Sequence, residues 1–272
     1  MKKLTIILIF TLLTLLLAAC GSDEGSETTG DSTSGDASGE EFKLIEEGKL
    51  NFAASGEFKP FSYMKDGEMI GYDIAVAEAI AEKLGLEAVQ QKAKFAAIVT
   101  GVKSGRYDIA VASHTINEKR LKEVNFSDPY YYSGPVIYTR PDSDIESAAD
   151  LEGKEISVSR GSTYVDIAKK YTDDIPQVDS DVVALQSLAK GHHDAVITDK
   201  ITGQTAIDSG LKIESRGQLG VSKQAVAVAK GNDKLLKAIN EALQELKESG
   251  KLAELSKEWI GVDITDEPKE VK

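Results

Sequence analysis

A chain of 272 residues with 41% apolar and 28% charged residues can bury a sizeable core, as one large domain or two smaller ones. Its formal charge of −13, which becomes −15 once Lys2 and Lys3 leave with the leader described next, argues against nucleic acid and against adhesion to anionic lipid. With a single cysteine, the chain forms no internal disulfide.

Residues 1–19 read as a signal peptide: Met1-Lys2-Lys3, then an apolar core over residues 4–17 that is too short for a permanent span. Leu17-Ala18-Ala19-Cys20 resembles a lipobox, with the chain's lone cysteine at the lipidated position. An ordinary secretory cleavage site is the alternative. Residues 21–41 are Gly, Ser, Thr, Asp and Glu apart from Ala37, with no aromatic residue, so residues 20–47 are expected to form a disordered, lipidated tether. Strands are then expected at residues 50–54, 109–112, 136–139, 156–158, 195–198 and 225–229. Helices are expected at 72–84, 95–103, 163–170, 182–190, 201–208, 235–246 and 252–259. The alternation implies an α/β fold in which a βα cycle runs twice.

Residues 113–130, SHTINEKRLKEVNFSDPY, organise the rest. They follow the apolar run at 109–112. Thr115-Ile116-Asn117-Glu118 has the form of a capping box, which would start a helix at the strand's end and place Arg120 in its first turn. Open α/β sheets bind ligands at that edge, and a guanidinium there suits a small carboxylate. A surface pairing of Arg120 with Glu123 or Asp128 is the competing possibility.

This segment resembles the extracellular solute-binding proteins of family 3, the amino-acid receptors of ABC importers. Phe58-Lys59-Pro60-Phe61, Gly71-Tyr72-Asp73, Gly105-Arg106-Tyr107-Asp108, Asp150-Leu151-Glu152-Gly153-Lys154, the run from Asp194 to Asp199 and Lys257-Glu258-Trp259-Ile260-Gly261 carry the resemblance across residues 48–262. It implies a two-lobed, periplasmic-binding-protein-like fold, two α/β lobes joined by two hinge crossings near residues 136–138 and 224–226. Lobe one would be residues 48–137 plus 227–262, lobe two 138–226, and residues 263–272 a tail. The implied partners are an amino acid, a permease and its ATPase subunit, with the chain a lipid-anchored monomer on the outer face of the cell membrane and free of cofactors.

The resemblance assigns site residues too. Arg120 and Thr163 would hold the ligand carboxylate, Asp199 its α-ammonium, and Phe58 and Phe95 its side chain. Ser113 and Thr115, two apart at the strand end, would add polar atoms. Each has a structural alternative: helix caps for Thr115, Thr163 and Asp199, and core packing for the phenylalanines. Pro60 and Phe61 are expected in an extended segment facing the cleft. His114 is expected to be buried or neutral, and His192-His193 lacks a third ligand at metal spacing. An enzyme of the cyclohexadienyl or arogenate dehydratase type on the same fold is the other class considered, but no general acid is evident around Phe58, Phe95 and Thr198. Ser55 stands where cation-binding relatives carry an acid, and Thr198 where glutamine-binding relatives carry His. Both departures weigh against those ligands and leave a polar amino acid, cystine among the candidates.

Overall fold

The structure, a computed structural model, describes residues 42–268. The leader, Cys20, the tether up to residue 41 and residues 269–272 lie outside the described residues. The first lobe opens with β1 (Lys49–Ala54) and a small antiparallel sheet of β2 (Glu57–Phe58), β3 (Ser62–Lys65) and β4 (Glu68–Ile70). It continues through α1 (Tyr72–Lys83), β5 (Glu87–Lys92), α2 (Phe95–Lys103), β6 (Ile109–Ala110), α3 (Glu118–Leu121) and β7 (Val124–Ser133). The second lobe holds β8 (Pro135–Thr139), β9 (Ile156–Ser159), α4 (Tyr164–Ala168), β10 (Gln177–Val178), α5 (Asp181–Ala189), β11 (Ala195–Asp199), α6 (Lys200–Asp208) and β12 (Glu214–Gln218). The chain then returns to the first lobe as β13 (Ser222–Ala229), α7 (Asp233–Glu248) and α8 (Lys251–Ile260).

The two main sheets share one plan, β5-β1-β6-β13-β7 and β10-β9-β11-β8-β12. Three parallel strands are followed by one that runs against them and an edge strand that runs with them again. In each sheet the antiparallel pair is the strand that arrives from the other lobe and the strand that leaves for it. Each lobe has its own core. Side chains on β8 alternate between the two faces of the second sheet: Ile137 packs toward Tyr164 and Ala168, Val136 and Tyr138 toward Leu185 and Leu188. In the first lobe, α1 buries Ile74, Val76 and Ile80, each of which contributes about 1.5–3 kcal/mol by leaving water. Its start is clamped to the preceding hairpin: the Tyr72 and Asp73 amides donate to the Pro60 and Phe61 carbonyls at 3.2 and 2.9 Å. Only glycine fits at 71, where φ is 129° and a Cβ would lie 2.4 Å from the Phe61 oxygen.

Four expectations are corrected. The expected tether ends earlier than residue 47, because Phe42 and Leu44 pack on the first core and Asp108 accepts from the Ile45 and Asn51 amides, both at 2.8 Å. The tail is tied down as far as Glu267: the Ile264 carbonyl accepts from Tyr132 N at 2.9 Å, and Lys223 pairs with Glu267 at 2.8 Å. The passages between sheets fall at Gly134 and residues 219–221, since Val136 already pairs in the second sheet and Gln224 in the first. The residue capping α3 is Asn117, whose Oδ1 accepts from Arg120 N at 2.8 Å, not Thr115. Asn117 directly precedes the first helical residue, and Thr115 is drawn into a bridge with Gln224.

The two passages touch. Leu219 N donates to the Pro135 carbonyl at 2.8 Å, and a Cβ on Gly134 would sit 2.1 Å from the Gly220 oxygen.

Candidate ligand-binding site

A cleft lies between the lobes, lined by residues of both. Phe58, Phe95, Ser113, Thr115 and Arg120 line it from the first lobe, and Thr163 from the second. Of the seven expected ligand-binding residues, Asp199 is absent from this lining. The lobes touch across the cleft through Arg120 Nη2, 3.1 Å from the Gly161 carbonyl, and through a Lys94–Asp179 pair.

Arg120 has neither of its surface alternatives. Glu123 pairs with Lys103, and no ion pair joins Arg120 to Asp128. Its guanidinium lies instead over the Phe95 ring, 5.6 Å from the centroid, and Nη1 donates to the Thr115 carbonyl at 2.8 Å. Among the described residues no carboxylate forms an ion pair with it. Burial pushes its pKa down to about 10, so it stays charged at neutral pH. Phe95 stacks on His114 at 4.7 Å, and burial together with the Arg120 charge holds that histidine neutral. Phe58 stacks on Phe61 at 5.1 Å. Phe61 itself is fully buried against Tyr131, so it belongs to the core rather than to the cleft. The Lys59–Pro60 peptide is cis.

Ser113 and Thr115 do not share a strand face as expected. The regular strand ends at Ala110, and Ser113 takes a φ of 55°. Its hydroxyl turns inward and donates to Asp73 Oδ2 at 2.8 Å, while Tyr130 OH donates to Asp73 Oδ1 at 2.6 Å and the Ser113 amide to Tyr130 OH at 3.0 Å. Burial raises the Asp73 carboxyl to about 7, against the pull of those two hydroxyls, and Asp199 pushes it further up. Thr115 serves Arg120 through its carbonyl, and the adjacent Ile116 amide donates to Lys223 O at 2.9 Å.

In the second lobe Thr163 precedes α4 but its hydroxyl caps nothing. Asp199 is buried, caps α6 through Oδ1 to Ile201 N at 2.8 Å, and is raised by burial to about 6. Sequence reasoning missed Ser159, Tyr164 and Asp181, all of which line the cleft. Asp181 lies just after the cap Ser180, where an acid is explained by the helix start alone; only its contacts reveal that it is turned inward. Its Oδ1 accepts from Ser159 Oγ at 3.1 Å and Thr198 Oγ1 at 2.6 Å.

Known proteins share this architecture. The family model for bacterial extracellular solute-binding proteins, family 3, matches residues 50–262. The L-cystine-binding protein TcyJ of Escherichia coli (strain K12) is 32% identical over 82% of this chain and 86% of its own. The arginine-binding extracellular protein ArtP of Bacillus subtilis (strain 168) is 30% identical over 96% and 98%. A solved structure of an ancestral arginine-binding protein bound to arginine superposes with a TM-score of 0.75 at 34% identity, covering 79% of this chain and 99% of that one. With the fold, the order of landmarks and the extent of these matches in agreement, the chain belongs to the bacterial extracellular solute-binding proteins of family 3.

Proposed function

We propose that the chain captures an amino acid outside the cell and delivers it to the permease and ATPase of an ABC importer, by binding and without catalysis. The carrying observation is the buried Arg120 guanidinium: no carboxylate of the described residues pairs with it, and it faces a cleft that both lobes line. A ligand carboxylate is its natural partner, through two parallel hydrogen bonds. Thr163 assists it, Asp199 takes the α-ammonium, Phe58 and Phe95 flank the side chain, and Ser113 and Thr115 supply polar atoms. Relatives named for cystine and arginine support a polar amino acid. The Lys94–Asp179 pair supports closure of the lobes over the ligand.

A thermal-shift screen of the twenty amino acids plus cystine and ornithine tests the reading. A ligand at a hundred times its Kd adds about 2.7 kcal/mol of stability. If none shifts the transition and calorimetry detects no binding, the transport reading fails.

The chain acts as a monomer, with lipidated Cys20 as its membrane anchor and residues 21–41 as the spacer. Cys20→Ser should release the protein into the medium or leave it unprocessed. A mature-sized Cys20→Ser protein that stays in the membrane fraction would overturn the anchor.

A further inference from the structure

We infer that Asp181 accepts a second cationic nitrogen of the ligand, beyond its α-amino group, so that the cleft selects amino acids with a basic side chain or with two amino-acid head groups. This rests on the amino-acid-binding reading above.

The charges lining the cleft carry the inference. Glu57 and Asp179 line it but are paired, Glu57 with Lys92 at 3.7 Å and Asp179 with Lys94. Asp181 is only 6% exposed, yet no Lys, Arg or His among the described residues forms an ion pair with it. Arg120, the basic residue of the lining, is on the opposite lobe and engaged with two backbone carbonyls. A buried carboxylate without a cation is costly, and two hydroxyls only partly offset that cost. Both hydroxyls converge on Oδ1, and among the described residues no side chain donates to Oδ2. Its place at the start of α5 does not require this orientation. Ser180 already caps the helix, with Oγ accepting from Val183 N at 3.3 Å, and a first-turn acid would serve the helix equally well facing water. With Glu57 and Asp179 answered by lysines and Asp199 behind the lining, the carboxylate left unanswered in the cleft is Asp181. This revises the weight placed on Ser55: the acid for a basic ligand comes from the opposite lobe.

Calorimetric titration of the full chain at pH 7 with arginine, ornithine, cystine, glutamine and leucine tests the assignment. At least one of the first three should bind 30-fold or more tightly than glutamine and leucine. Asp181→Asn keeps the volume and an acceptor for Ser159 and Thr198. It should weaken that ligand by 30-fold or more while changing glutamine binding less than 3-fold. Preference of the wild type for glutamine or leucine, or an equal effect of Asp181→Asn on every ligand, overturns this inference and leaves amino-acid capture standing. Failure of all amino acids to bind overturns both. Where Asp181→Asn does not fold, Asp181→Ser in the same titrations decides the matter by the same criteria.

Discussion

Arg120→Ala should lose about 2–5 kcal/mol of amino-acid affinity, roughly 30-fold to several thousandfold in Kd. The guanidinium is held by two carbonyls, Thr115 on its own lobe and Gly161 on the other, and by the face of Phe95. Neither carbonyl neutralises it. A ligand carboxylate does, in a site sheltered from water where charge-assisted bonds are strongest. Removing the cation leaves that carboxylate buried alone. The contact to Gly161 adds a second effect, since the variant also loses a bond between the lobes. The two are separable with altered ligands. Against the amide of the best amino acid, which lacks the carboxylate, the wild type should discriminate strongly and Arg120→Ala hardly at all. Calorimetry on both proteins with both ligands checks this. Near-wild-type affinity for the amino acid in Arg120→Ala would remove the centre of the functional reading.

The second large effect is on stability, and it depends on pH. Asp73 is fully buried and its carboxyl is raised to about 7. The folded protein therefore keeps a proton that the unfolded chain gives up near pH 4. The corresponding stability is fully present below the unfolded pKa and is lost as pH rises to about 7, so the protein weakens across this window and levels off above it. The full difference is on the order of 4 kcal/mol. Asp199, raised to about 6, acts in the same direction. Asp73→Asn removes the ionisation while its carbonyl oxygen still accepts from Tyr130 and its amide donates to the Ser113 hydroxyl. Urea unfolding from pH 4 to 8 should show the variant gaining on the wild type as pH rises. Parallel curves for the two proteins would exclude this role for Asp73.

The legible parts of the fold were those with one strong local period. Helix α1 carries an apolar stripe that ends before Gly85, and α2 occupies the residues its pattern indicated. β7 was not legible. It contains Pro129 and alternates poorly, yet it runs ten residues because it is an edge strand, where proline is tolerated. Ser127 Oγ accepts from Val226 N at 3.0 Å beside the irregularity in its pairing with β13. The same holds for the site. Arg120 was indicated by its place after a strand and by the family pattern. Ser113 looks like part of a regular strand because nothing local announces a left-handed turn; the cause is Asp73, forty residues away in sequence. Asp181 was masked by a helix start that accounts for it by itself.

The pairing of arriving and departing strands in both sheets has a mechanical result. It brings Gly134 against Gly220 and lets Leu219 bond Pro135, so the two passages form one ribbon, not two separate strings. A ribbon folds readily about the line across its width and resists shear, because sliding one edge past the other breaks the Leu219–Pro135 bond and drives Gly134 into the Gly220 carbonyl. Bending across that ribbon is thereby left softer than shear, which is the motion that the proposed closure over a ligand requires.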